Sequence, residues 1–206
     1  MKLAVFDFDS TLMDGETLEF LAKEVGIQKE VKEITDKAMK GELDFFESLQ
    51  KRVSLLKGLE VKTVNNICEN LPLMNGASEV VSELKNSGYK VVCFSGGFKN
   101  ATVPFAEKLG LDGEFSNILH EKDGILTGFV GGEMMFNNSK GMMLQTLQKI
   151  LNVSYDDTLV VGDGANDLSM FKFAAKRVAF CAKPVLKENA NIVIETKDLT
   201  EILKKI

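Results

Sequence analysis

The 206-residue chain has one histidine, three cysteines and no apolar run near the roughly 20 residues needed to span a bilayer. The lone histidine, His120, belongs to no recognisable triad, which argues against Ser-His-Asp chemistry. Cys68, Cys93 and Cys181 are odd in number, far apart and each in an apolar context. That pattern argues against a disulfide framework or a zinc site and predicts three buried small hydrophobes. Met1 to Phe6 meets Asp7 too early for a signal-peptide core, so a cytoplasmic protein is expected. Basic residues are not in excess: 25 Lys and Arg against 30 Asp and Glu give a formal charge of −5. Neither nucleic acid nor a membrane is therefore an expected partner, and monomer and homodimer both stay open. Repeats and low-complexity segments are absent. With 45% hydrophobic and 27% charged residues, the composition is that of a globular chain of one large domain or one domain carrying an insertion.

Apolar runs with strand character recur at wide intervals: Leu3 to Phe8, Val91 to Phe94, Leu159 to Val161, Val178 to Phe180 and Ile192 to Ile194. Helical patterns separate them. The alternation predicts an α/β fold, a Rossmann-like parallel sheet whose short strands are apolar throughout because helices cover both faces. Crossover helices are expected over Ala77 to Ser87, Asn100 to Leu109, Gly141 to Leu151, Leu168 to Ala174 and Leu199 to Lys205, several closed by glycines such as Gly88 and Gly110.

Residues 14–72 read differently, with four helical patterns and no convincing strand. Leu18, Leu21 and Val25 share a face, as do Val31, Ile34 and Ala38, then Phe45, Leu49, Val53 and Leu56, then Val64, Ile67 and Leu71. Gly26, Gly41 and Gly58 stand where such helices would stop, Asp44 suits an N-cap, and Pro72 returns the chain to the body. The expected organisation is an α/β body of residues 1–13 and 73–206 carrying a helical cap of residues 14–72, tethered near Asp14 and Pro72. A second, small insertion is expected over Asn117 to Phe136, a hairpin turning at Asp123-Gly124.

Four short motifs carry chemistry. Asp7-Phe8-Asp9-Ser10-Thr11 ends the first strand, where alternation sends Asp7 and Asp9 to one side. Two carboxylates so placed repel unless a cation or shared proton relieves them, although for an isolated Asp-x-Asp the preferred reading is that Asp9, Ser10 and Thr11 cap a turn. Gly162-Asp163-Gly164-Ala165-Asn166-Asp167 follows a later strand and adds two carboxylates and an amide, with glycines that admit a tight turn. Asp167 alone reads as N-cap or functional group with equal ease. Converging acids of this kind suit Mg²⁺, a hard cation that leaves room for water and phosphate oxygens. Ser95-Gly96-Gly97, between a strand and a helix, has the elements of a phosphate cradle or of an ordinary turn. Lys140 opens a helix against the macrodipole, which hints at a purpose other than helix stability.

The order of these motifs resembles that of the haloacid dehalogenase-like superfamily of aspartate-nucleophile phosphohydrolases. The likeness covers essentially the whole chain: Phe6 to Leu12, Glu16-Thr17, Lys51-Arg52-Val53, Phe94 to Phe98, Lys140-Gly141 and Val161 to Asp167 are similar to those of superfamily members that act on phosphoserine. The resemblance implies Asp7 as nucleophile, Asp9 as general acid and base, and Mg²⁺ held by the Asp7 carboxylate, the Asp9 carbonyl and the Asp163 carboxylate. It implies that Asp167 supports from the next layer, that Ser95, Gly96, Lys140 and Asn166 hold phosphate or substrate, and that Glu16 and Arg52 take the ammonium and carboxylate of phosphoserine. The implied reaction is the last step of serine biosynthesis. It also implies that Asp9 has the higher pKa of the two aspartates. Lys99, where many relatives carry Asp, and the pair Phe45-Phe46 depart from the pattern at positions suited to tune cap closure. The competing expectations are another small phosphomonoester, a phosphotransferase, and a receiver-like signalling module with a long-lived phosphoaspartate.

Overall fold

The computed structural model describes residues 1–39 and 42–206. The chain forms β1 (Lys2–Phe6), then α1 (Thr17–Glu24), α2 (Gln28–Met39), α3 (Phe45–Ser54) and α4 (Val61–Glu69). Next come α5 (Ala77–Asn86), β2 (Tyr89–Phe98), α6 (Lys99–Leu109), β3 (Gly113–Lys122), β4 (Ile125–Gly132), α7 (Ser139–Leu151) and β5 (Thr158–Gly162). The last elements are α8 (Leu168–Phe171), β6 (Lys176–Phe180), α9 (Pro184–Lys187), β7 (Ile192–Ile194) and a 3-10 helix, Leu199–Lys204. Among the described residues, seven strands make one sheet in the order β4-β3-β2-β1-β5-β6-β7, parallel except between β3 and β4.

The central strands are apolar on both faces because each face has its own core. Ala4 and Phe6 of β1 join one cluster with Val91, Cys93, Leu159 and Val161. Leu3 and Val5 join the other with Val92, Phe94 and Val160. This period-two division fixes the register, since a one-residue slip would exchange the two sets. Each large side chain so buried contributes on the order of 1.5–3 kcal/mol. No described helix is long and apolar enough to cross a membrane.

Several boundaries differ from expectation for local reasons. β1 stops at Phe6 rather than Phe8, because the chain bends through Ser10, whose φ of 57° is left-handed. β2 runs on to Phe98, the helix from Leu168 ends at Phe171, and the one from Leu199 is 3-10. Val25 follows the last turn of α1 and is exposed, and Cys181 is only half-buried, unlike Cys68 and Cys93. Gly41 lies outside the described residues. Asp44 caps α3 as expected, accepting from Glu47 N at 2.8 Å. The hairpin turns at Asp123-Gly124, both with positive φ of 53° and 76° as the tight two-residue turn requires. It extends the main sheet, since β3 pairs with β2.

The four helices after β1 contact the α/β body at more than the two expected points. Asp14 N donates to Pro72 O at 2.9 Å, joining the two connecting segments. The link between α3 and α4 then pairs with the hairpin: Gly58 N donates to Leu126 O, Leu126 N to Leu59 O and Val61 N to Gly124 O, each at 2.9 Å. Asn100 of α6 donates to Asn65 of α4 at 2.7 Å, and Phe46 stacks on Phe136 with centroids 5.2 Å apart. Lys99 turns to the body instead, pairing with Glu114 at 2.8 Å.

Candidate active site

β1 lies between β2 and β5, so the chain leaves its carboxyl end where the connections diverge, the place where such sheets open a crevice. Asp7 occupies that end. Its N–H continues the ladder to Val161 O at 2.9 Å, and its side chain is buried. Asp7 Oδ1 accepts from Phe8 N at 2.7 Å and lies 2.6 Å from Lys140 Nζ. Lys140, in the first turn of α7, is 3% exposed and also donates to Asp167 Oδ1 at 2.6 Å. The lysine at a helix start thus has a buried function, neutralising two carboxylates.

Asp167 ends the 3-10 turn Ala165–Asp167 that follows β5 and Gly164. Its other oxygen accepts from Asp163 N and Gly164 N, each at 3.1 Å, so it folds the loop that carries Asp163. Glycine is needed at 162, where a Cβ would stand 2.3 Å from Asp167 Oδ2. One carboxylate oxygen from each of Asp7, Asp163 and Asp167 lie within 4.8 Å of one another. This all-oxygen set fits a hard divalent cation. Both Asp167 oxygens are already engaged, which leaves Asp7 and Asp163 as the carboxylates freest to ligate.

Burial drives the Asp7 carboxyl well above the usual carboxylate range, with the charges of Asp167 and Asp163 adding and Lys140 opposing. Asp163 is pushed up to about 6, again by burial first and then by Asp167. Burial pulls the Lys140 ammonium down, but Asp167 and Asp7 more than reverse it, so the lysine stays charged.

Asp9 is half-buried and oriented by Thr17, not by strand alternation. Thr17 N and Thr17 Oγ1 both donate to Asp9 Oδ1, at 2.8 and 2.6 Å. Asp9 Oδ2 faces Gly97, where a Cβ would come within 3.1 Å of it and 3.0 Å of Ser95 Oγ. Loss of water raises the Asp9 pKa, opposed by the two Thr17 hydrogen bonds and by Lys140 and Arg52. Both aspartates are therefore raised, each by burial before any other cause. Ser95 is fully buried and its Oγ accepts from Gly97 N at 2.9 Å. Gly96 lies under the Phe45 ring, which a Cβ would approach to 2.9 Å. Asn166 stands in the turn before Asp167, half-buried, its Oδ1 against Gly164.

Glu16 and Arg52 are the charged groups that the helical layer and its entry loop bring toward this crevice. Ser10 Oγ donates to Glu16 Oε1 at 2.9 Å. Burial pushes the Glu16 carboxyl up to about 8, and the charges of Asp9 and Asp163 add to the shift. Arg52 Nε donates to Ser48 O at 3.2 Å, and the two terminal guanidinium nitrogens make no hydrogen bond or ion pair among the described residues. Burial lowers its pKa, and Glu16 and Asp9 offset this.

The sequence-derived residues therefore gather at one sheet edge, Asp7, Lys140, Asp163 and Asp167 by direct contact and Asp9 and Ser95 around Gly97. Thr17 was absent from the expected roles, as was Asn117. Each is a fully buried polar residue inside an apolar pattern, and that mismatch is the signal that marks them.

Residues 1–175 match the family model of the haloacid dehalogenase-like hydrolases, and the chain belongs to that family. The phosphoserine phosphatase of Wolinella succinogenes is 65% identical over 203 residues, covering 98% of each chain. That of Methanocaldococcus jannaschii is 53% identical over 205 residues, covering 100% of this chain and 97% of its own. A solved phospho-aspartyl intermediate analogue of phosphoserine phosphatase aligns at TM-score 0.95 and 53% identity over 100% of this chain and 98% of that one. A substrate-bound phosphoserine phosphatase complex aligns at 0.94 and 52% with the same coverage.

Proposed function

We propose that this chain is an Mg²⁺-dependent phosphatase that hydrolyses O-phospho-L-serine to L-serine and phosphate, the closing reaction of serine biosynthesis. The carrying observation is the buried Asp7 at the end of β1 with Lys140 Nζ 2.6 Å away and Asp163 beside it. A carboxylate held there beside positive charge is suited to attack phosphorus, and the full-length likeness to phosphoserine phosphatases supports the substrate.

In the reaction, an Asp7 oxygen forms a bond to phosphorus as the bond to the serine oxygen breaks, and Asp9 gives that oxygen its proton. Water then attacks the aspartyl phosphate, Asp9 takes the water's proton, and Asp7 is restored as phosphate leaves. Asp9 suits both steps because Thr17 occupies Oδ1 and leaves Oδ2 toward the cleft. Lys140 offsets charge on the phosphoryl oxygens, and Ser95, the Gly96 N–H and Asn166 orient them. Asp7, the Asp9 carbonyl and Asp163 would hold Mg²⁺, which when bound supplies further positive charge to the phosphoryl group. Asp167, engaged with Lys140 and two backbone N–H groups, orients the other groups.

Glu16 receives the substrate ammonium and Arg52 its carboxylate, for which a guanidinium with free terminal nitrogens is suited. Residues 14–72 act as a cap over the body of residues 1–13 and 73–206 and exclude water when closed. A phosphate-release screen with Mg²⁺ across phosphoserine, phosphothreonine, sugar phosphates and nucleotides tests the proposal. A strong preference for phosphoserine is expected. Equal or greater release from a sugar phosphate or nucleotide would contradict it.

A further inference from the structure

We infer that Asn117 is a positioning residue for the phosphate cradle: by fixing the Gly96–Gly97 peptide it leaves the Ser95 hydroxyl proton free to point at the phosphoryl group. The inference rests on the phosphatase reading in one respect, that the Ser95 cradle faces phosphate.

The argument starts from a break in the sheet. β2 and β3 pair in step as far as Phe94 with Phe115, and pairing resumes only at Phe98 with Asn117. Three residues, Ser95, Gly96 and Gly97, therefore stand against one, Ser116, and the cradle arches out of the ladder. Backbone groups in such an arch lose their strand partners, and a buried carbonyl left alone is costly. The Asn117 side chain supplies the missing partner. Its Nδ2 donates to Gly96 O at 3.0 Å and to Met134 O at 3.2 Å, and its Oδ1 accepts from Met134 N at 2.9 Å.

The amide is fully buried, and asparagine is poorly suited to a strand interior, so packing alone does not explain it. The surroundings are shaped to it. Gly132 has a φ of 145°, and a Cβ there would stand 2.7 Å from Asn117 Cα and 2.8 Å from its Oδ1.

Gly96 C=O and Gly97 N–H are opposite ends of one rigid trans peptide. Anchoring the carbonyl on Asn117 directs the N–H the other way, where it donates to Ser95 Oγ at 2.9 Å. A hydroxyl that accepts in this direction must donate in another, and its proton has no acceptor among the described residues. The same amide holds Met134, which precedes the turn in which Phe136 N donates to Ser139 Oγ at 3.1 Å, next to Lys140. One side chain thus sets the spacing between two phosphate-facing elements.

The test is a double-mutant cycle on the Mg²⁺-loaded enzyme. Asn117→Asp keeps the acceptor for Met134 N and removes the donor to Gly96 O. It is expected to lower kcat/KM for phosphoserine about tenfold or more in the parent, in the manner of a weakened oxyanion donor. In a Ser95→Ala background the same change should cost less than about twofold, because the group it positions is gone. Equal losses in both backgrounds, or no loss in the parent, would overturn the proposal. Amide hydrogen exchange on the unsubstituted protein needs no folded variant. The Gly97 amide should be protected as strongly as the ladder amides of β2, and rapid exchange there would overturn the inference. If the parent releases no phosphate from phosphoserine, the functional reading fails, while comparing Gly97 exchange in the parent and in Asn117→Asp still decides whether Asn117 holds the peptide: faster exchange in the variant is expected, and unchanged exchange would overturn the inference.

Discussion

The floor of the crevice and its helical wall are held in contrasting ways. On the floor, Asp7, Lys140 and Asp167 are buried, and each makes at least two close polar contacts. On the wall, Glu16 has Ser10 as its side-chain partner and Arg52 has one backbone carbonyl. Groups proposed to meet the reacting phosphorus are thus over-determined, whereas groups proposed for the serine part keep bonding capacity for the substrate. A breach of the floor should cost folding and turnover together, and a breach of the wall should cost recognition alone.

The largest effect is expected at Lys140. Lys140→Met leaves two buried carboxylates without their cation, which should destabilise the fold by about 3–5 kcal/mol and abolish turnover. Denaturant unfolding and an activity assay check this, and a variant as stable as the parent would break the contrast. Asp9→Asn removes the proton donor while keeping an acceptor for Thr17. It should lower kcat about 10²- to 10⁴-fold and alter the pH–rate profile. Retention of the parent rate and profile would exclude Asp9 as acid and base.

At the wall, Arg52→Ala should raise KM for phosphoserine by about tenfold or more, with far less effect on a neutral aryl phosphate and little on stability, a charge-assisted pair being lost in the complex. Equal losses on both substrates would remove the assignment.

The smallest effect concerns pH. A folded-state pKa of about 8 at Glu16 exceeds the unfolded value of about 4.3. Between those values the folded chain retains a proton that the unfolded chain has released, so this group lowers stability as pH rises through the window. Glu16→Gln has no such term. Without substrate, its melting temperature should gain on the parent's from about pH 4.3 to about pH 8 and then level off. A constant difference would show that Glu16 is not desolvated.

Much of this arrangement was legible in the chain. Short apolar strands with helices between them announce a two-cored parallel sheet, because β1 alternates Leu3 and Val5 against Ala4 and Phe6 between two layers. The acidic and glycine motifs marked the strand ends, since a Gly162 pressed against Asp167 has few alternatives. What escaped detection depends on contacts between distant segments. The burial of Lys140 needs Asp7 and Asp167 from two other elements, and the seating of α3 and α4 on the hairpin rests on backbone bonds that side-chain patterns do not encode. Thr17 and Asn117 gain their roles from what lies opposite them, and alternation along β1 gave no warning that Thr17 would orient Asp9.

The central claim is that Asp7 itself carries the phosphoryl group. Rapid acid quench during turnover of phosphoserine, followed by peptide mapping by mass, tests it directly. The account predicts one phosphoryl group, labile to base, on the peptide containing Asp7 and lost in Asp7→Asn. Label on Ser95 or any other residue, or full turnover by Asp7→Asn, would contradict it.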